Sequence, residues 1–192
     1  MSDDQDYLAK KEQYLLKSTF VRRKIRSESY FDLLAEVKEA ELTESPKLDW
    51  SQRNTWGITE KAWQVALNSG IDPIRLFCHP DILQAHPRFV LYYRSVSLIP
   101  QKGFMAVIKH NPKPFEAGQK APGSLSDTEL LDITKGLNEL FSNTLEQGSM
   151  VTIEEITSMY FAQAGMTIDG SWRNQIGEEG QLVIWNLVAQ AL

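Results

Sequence analysis

One cysteine, Cys78, is all that the 192 residues contain, which excludes an internal disulfide and suits a reducing compartment. Proline is missing from the whole of residues 123–192, so nothing in that stretch forces a helix to stop. No apolar run approaches the ~20 residues that span a bilayer. Residues 2–6 are acidic where an export signal carries positive charge, so a cytoplasmic protein outside the membrane is expected. There is no glycine-rich phosphate loop, no Gly-x-Ser-x-Gly elbow and no His-Glu-x-x-His. Their absence removes the common nucleotide, hydrolase and metalloprotease readings at the level of motifs. An overall positive excess is also lacking. A net charge of −5 argues against a protein that coats nucleic acid indiscriminately, because such proteins displace counterions with a large cationic surplus.

What positive charge there is falls in blocks. Residues 87–120 hold Arg88, Arg94, Lys102, Lys109, Lys113 and Lys120 against Glu116 alone, whereas residues 121–192 hold ten carboxylates against Lys135 and Arg173. A local balance of +5 followed by −8 concentrates cations where a polyanion can use them. In that basic segment, Arg94, Lys102 and Lys109 are candidate phosphate contacts, and Arg88 or Arg94 is a candidate bidentate fork for a guanine edge. Of Tyr92 and Tyr93, one is expected to pack in the core with its hydroxyl at the surface, base stacking being the alternative. A second basic block, Lys10 to Arg26, is followed by an acidic one at residues 28–41, and such neighbours pair with each other or stay solvated more often than they bind a ligand.

The pattern predicts an all-α or predominantly α chain, cut into a charged helical arm (1–50), a helical domain (51–165, with the basic segment 87–120) and a terminal amphipathic helix (166–192). Tyr7, Leu8, Tyr14, Leu15, Phe20, Val21 and Ile25 recur at roughly helical spacing in the arm, and residues 43–53 read as a connector. Thr59 caps a helix that Gly70 stops, and Asp72-Pro73 opens a short turn. Seven of the eight prolines lie between 73 and 122, so the middle of the chain must turn often. Residues 87–99 read as a central helix with Phe89, Tyr92, Val96 and Ile99 along one side, a strand being the alternative, and residues 113–123 read as an exposed loop. Capping signatures at Ser126 and Thr152 predict helices ending near Gly148 and Gly165, with a last helix starting near Asp169 or Ser171. It would carry Trp172, Ile176, Leu182, Val183, Trp185, Leu187 and Val188.

The run Ile71-Asp72-Pro73, Leu76-Phe77-Cys78-His79-Pro80, His86-Pro87-Arg88, Tyr92-Tyr93-Arg94 and Gln101-Lys102-Gly103, with Ile168-Asp169-Gly170-Ser171-Trp172-Arg173-Asn174-Gln175-Ile176-Gly177-Glu178-Glu179-Gly180 downstream, resembles the amino-terminal region of type II restriction endonucleases of the XamI and XcyI kind. The similarity covers roughly residues 55–185. It implies a site-specific nuclease acting on double-stranded DNA, with Arg173 joining Arg88, Arg94, Lys102 and Lys109 as DNA-binding candidates, and a homodimer matched to palindromic sites. It also implies that residues 176–180 lie in the helix opening a PD-(D/E)XK-type nuclease core, in which carboxylates hold magnesium. The chain departs from that pattern, because nothing after Glu179 supplies the Asp strand or the Glu-x-Lys strand. Glu178 and Glu179 are therefore weak catalytic candidates, and as neighbours on a helix they point about 100° apart. Magnesium is expected only with a complete core. The reading is thus the DNA-recognition or scaffold portion of such an enzyme. A non-enzymatic helical protein-interaction module is the alternative, distinguished by whether Trp185 and Val188 rather than the basic segment carry binding. Cys78, His79 and His86 as metal ligands or a nucleophile pair are a weak signal, lacking four ligands at recurring short spacing.

Overall fold

The computed structural model describes residues 2–27, 30–148 and 151–191, with side-chain surroundings at 7–8, 10–26, 30–148, 151–178 and 181. Helix makes up 78% of the chain and no strand occurs among the described residues, so the chain is all-α. The helices are α1 (Ser2–Ser27), α2 (Tyr30–Thr43), α3 (Glu60–Ser69), α4 (Pro80–Ala85), α5 (Phe89–Val96), α6 (Gln101–Ile108), α7 (Lys113–Glu116), α8 (Asp127–Gln147) and α9 (Ile153–Ala191). Short 3-10 turns, Ser45–Lys47, Trp50–Trp56 and Pro73–Arg75, connect them. The chain divides into two compact units, Phe31–Gln163 and the pair Met1–Tyr30 with Ala164–Leu192.

The larger unit is built around α8. Ser126 accepts a hydrogen bond from the Glu129 amide and starts that helix, and the apolar residues Ile133, Leu137, Phe141 and Leu145 then recur every four residues on its buried side. Against α8 pack α3, α4, α5, α6 and the Trp50–Trp56 turn. Thr59 caps α3 by accepting from the Ala62 amide, and Gly70 ends it at φ 67°. Two glycines let backbones approach closely. A Cβ on Gly136 would lie 2.7 Å from Ile108 Cγ1, which is how α6 comes against α8. Gly57 sits at φ 80°, and a Cβ there would meet the Lys135 carbonyl oxygen at 2.6 Å, so that turn accepts glycine alone.

The centre of the unit is held by a polar group. Asn138, on the buried side of α8, donates from Nδ2 to the carbonyls of Trp56 and Cys78, both at 2.9 Å. Its Oδ1 accepts from the Cys78 amide at 2.8 Å. These bonds satisfy backbone groups of two irregular segments that have no helical partner to use, which ties the partly exposed Trp50–Trp56 turn to α8 and allows the segment around Cys78 to be buried.

Three expectations are corrected. First, α5 is buried on every side, Phe89 through Val96 inclusive, rather than along one stripe. It packs against both α7 and α8, so no face reaches water. Second, residues 113–123 are not simply an exposed loop, because α7 forms there and drives Phe115 into the core. Third, α9 continues for 39 residues through Gly165, where a stop and a new start were expected. No proline removes a bond there, and a mid-helix glycine costs only about 1 kcal/mol, less than ending one helix and nucleating another. The unit boundary at Gln163 falls within it.

The smaller unit pairs α1 with the later part of α9. Phe20 is buried with its ring centroid 5.3 Å from that of Trp172, and Lys17 Nζ lies 2.5 Å from Asp169 Oδ1. Of the residues expected to line the last helix, Leu182, Val183, Trp185, Leu187 and Val188 have side chains outside the described set.

Replacing Asn138 by leucine leaves two carbonyls and an amide without partners. The expected loss is about 3 kcal/mol of unfolding free energy, read as a lowered midpoint in urea. The same change at Asn143, exposed on α8 five residues later, should stay within about 0.5 kcal/mol.

Candidate nucleic-acid interface

The basic segment folds into α5, α6, α7 and the turns between them, and its cations separate into two groups. Arg94 is completely buried. Its Nε donates to Glu116 Oε1 at 2.5 Å and its Nη1 to the Ile99 carbonyl at 2.7 Å, while Nη2 finds no partner. Glu116, the segment's own carboxylate, is completed by Gln101 Nε2 at 2.5 Å from Oε2. Arg94 is thus a structural ion pair that locks α5 to α7, and the expectation that it meets phosphate or a guanine edge is corrected, because no part of it reaches a ligand. Arg88 is half-exposed and gives Nη1 to Glu36 Oε1 at 3.2 Å. Lys120 pairs with Glu129 at 2.8 Å, and His110 Nε2 stands 3.3 Å from Asp132 Oδ2.

Lys102, Lys109 and Lys113 form the other group. All three are exposed and none has a carboxylate within ion-pair distance among the described residues. Lys102 lies in the first turn of α6 and Lys109 caps its end at φ 64°. Seven residues are nearly two full turns, which sets these two about 10 Å apart along one side of the helix. Lys113 opens α7. Arg173 belongs to the smaller unit and is exposed, but its guanidinium lies 2.5 Å from Asp169 Oδ2. Lys17 and Arg173 together hold the Asp169 carboxyl below its usual range through hydrogen bonds. Glu178 is exposed on α9, and the Glu179 side chain lies outside the described set.

Tyr92 and Tyr93 are both core residues, which corrects the expectation that one of them would keep its hydroxyl at the surface. Their hydroxyls donate to the carbonyls of Arg75 (2.8 Å) and Ile74 (3.0 Å), so both phenols are buried and their ionisation is pushed upward. Arg75 beside them is also buried. It gives Nε to the Tyr92 hydroxyl at 3.2 Å and Nη1 to Glu41 at 3.1 Å.

Cys78 and His79 are engaged structurally. Burial raises the Cys78 thiol to about 12, with Thr134 Oγ1 at 3.9 Å as its neighbour. His79 Nδ1 accepts from the Asp81 amide and so caps α4, which leaves the proton on Nε2, 3.2 Å from the Asp49 carbonyl. Burial lowers its pKa, keeping the ring neutral. Both ring nitrogens are occupied, so this histidine is not a ligand. His86 Nε2 lies 2.6 Å from Glu44 Oε1, with its ring stacked on Phe89 at 4.7 Å. Among the described residues no three His, Cys, Asp or Glu side chains gather as a metal would require.

An aromatic cluster went unnoticed in the sequence. Trp50 and Trp56 stand edge-on to His79 with centroids at 4.8 and 4.5 Å, and Trp63 lies tilted against Trp50 at 5.4 Å under the Arg53 guanidinium. The signal available was three tryptophans within 14 residues ahead of a histidine, but their spacing, six and then seven, fits no single helix face. A cleft of about 540 Å³ with mixed polar and apolar lining lies between Glu41, Asn68, Asp72, Val151, Thr152 and Glu154. Two of its carboxylates are already used, Glu41 by Arg75 and Asp72 by Ser45 Oγ at 2.6 Å.

Comparison with known proteins finds no match: no family model, no curated protein and no solved structure. The site is therefore judged on its chemistry. Three exposed lysines without acidic partners among the described residues can offer point charges to phosphate oxygens, whereas within the basic segment a planar fork for a base edge is left only to Arg88, and only if it releases Glu36.

Two outcomes follow from the buried groups. Arg94→Ala strands the Glu116 carboxylate, which is only 10% exposed, and should lower stability by about 3–5 kcal/mol in chemical denaturation. Cys78 should resist thiol reagents in the native state and react once unfolded. Because its folded pKa is raised, the unfolded state loses that proton first as pH rises. Stability from this group is intact below the unfolded thiol's pKa and declines toward about 12, at about 1.4 kcal/mol per pH unit. The alkaline decline should be shallower in Cys78→Ala.

Proposed function

We propose that the chain is the DNA-recognition or scaffold portion of a type II site-specific restriction endonuclease, binding duplex DNA as a homodimer. The observation that carries this reading is the set Lys102, Lys109 and Lys113, exposed and without acidic partners among the described residues, in a basic segment whose other cations, Arg88, Arg94 and Lys120, are paired with carboxylates. The resemblance of residues 168–180 to restriction endonucleases supplies the class of partner. Phosphate contact by these lysines positions the duplex, and Arg88 is the side chain able to reach a base edge.

Magnesium chemistry is not part of the proposal. Glu178 is exposed on a helix without gathered carboxylates among the described residues, so the residues do not fit a magnesium site and no cleavage step is derived from them. The second reading, a helical protein-interaction module, is favoured by one observation: Tyr7, Leu8, Tyr14, Leu15 and Leu16 are each more than half exposed.

Fluorescence anisotropy on a randomised duplex library across a salt series tests the reading. Sequencing of the DNA retained at the highest permissive salt should show enrichment of one short palindrome. Lys102→Glu with Lys109→Glu should weaken binding and reduce the magnitude of the salt slope by about 2, since each phosphate contact contributes about 0.9. Absence of binding by the native chain at low salt would overturn the DNA reading.

A further inference from the structure

Between residues 7 and 26 the arm helix α1 carries seven cations against Glu12 alone. The acidic block that follows in sequence is spent elsewhere, since Glu36 and Glu41 pair with Arg88 and Arg75 inside the larger unit. Arg22, Arg23 and Arg26 are exposed and have no carboxylate partner among the described residues, although Arg23 also lies over the Phe20 ring, 5.9 Å from its centroid. With Thr19 these three arginines line a groove of about 630 Å³. Toward the amino terminus a second groove, of about 470 Å³, lies between Tyr7, Lys10, Lys11, Tyr14 and Leu15. Its two tyrosines are 65% and 71% exposed and sit about 10 Å apart along the axis. Helical rotation of 100° per residue places Tyr7, Lys11, Tyr14, Leu15, Arg22 and Arg26 within an arc of about 120°, whose centre lies opposite the buried Phe20. Aromatic rings and cations therefore share one solvent-facing side of the helix.

We propose that this face binds single-stranded nucleic acid, with bases stacked on Tyr7 and Tyr14 and backbone phosphates held by Lys11, Arg22, Arg23 and Arg26. Charge fixes the partner as a polyanion, and guanidinium forks suit phosphate oxygens. The tyrosines select an unpaired strand, because the bases of a duplex already stack on one another, whereas a free base gains a ring face to lie on. An anionic membrane surface fits less well. A helix lying in such a surface segregates its cations from its apolar arc, and here Lys11 and Arg22 occupy the middle of that arc. The same two charges stand against an apolar protein partner, which would strip them of water without return. The site uses none of the residues of the duplex reading and does not depend on it.

The test is fluorescence anisotropy of the full chain with labelled oligothymidylate across a salt series, beside an abasic strand of equal length and charge. The native chain should bind oligothymidylate and hold the abasic strand at least about tenfold more weakly. Tyr14→Ala and Tyr7→Ala should each weaken binding to oligothymidylate about tenfold with the salt slope and far-UV circular dichroism unchanged, and Tyr14→Phe should retain affinity. Arg22→Gln with Arg26→Gln should reduce the magnitude of the salt slope by about 1.4, at about 0.7 for each phosphate contact on a single strand. Oligothymidylate that fails to bind at low salt, equal affinity for the abasic strand, or binding indifferent to both tyrosine changes would each overturn the proposal. So would capture of the chain by phosphatidylserine-containing vesicles with no affinity for the strand. Duplex binding without strand binding would overturn this site and leave the duplex reading standing, and strand binding without duplex binding would do the reverse.

Discussion

Asn138 is the point from which the larger unit hangs. A helix can satisfy its own backbone, but the Trp50–Trp56 turn and the segment around Cys78 cannot, and both lie against the middle of α8. One amide side chain, with two donors and one acceptor used, settles three backbone groups from these two segments at 2.8 to 2.9 Å. Burial of irregular backbone is affordable only on such terms, because an unmatched amide or carbonyl forfeits its bonds to water with nothing in return. Trp50, Trp56 and His79 are consequently held edge to face, and the His79 cap on α4 follows from the same arrangement.

A second constraint acts on charge. The basic segment has a surplus of cations along the chain, yet folding brings Glu36 and Glu129 to it from outside, and Arg94 consumes its internal Glu116. Half of the six cations are thereby neutralised. What remains as an electrostatic surface is narrower than the sequence window, three lysines on α6 and α7, and these are point charges rather than forks. Under the proposed DNA-binding reading, contact confined to phosphate would give affinity and register, and base discrimination would rest on Arg88 and on the shape of the duplex.

Much of the helical order was legible because capping is local. Thr59, Ser126 and Thr152 each accept from an amide three residues on, as their spacing implied, and Gly70 stops α3 at positive φ. Buriedness was less legible. Arginine and tyrosine at helical spacing read alike whether a helix has one dry face or none, and α5 has none. The continuity of α9 through Gly165 was not legible either, since a glycine that weakens a helix and a glycine that ends one look identical without the open space found around it.

The sequence by itself determined the all-α class, the starts of its main helices and the absence of any disulfide, since each depends on residues within a few positions or on composition alone. Tertiary structure decided which charges are free, which aromatic rings meet and which ends of the chain share a unit. Those outcomes depend on distances between residues far apart in sequence: 22 positions separate Arg94 from Glu116, and 60 separate Cys78 from Asn138. Only packing, in which burial forces every polar group to find a partner, brings such residues together.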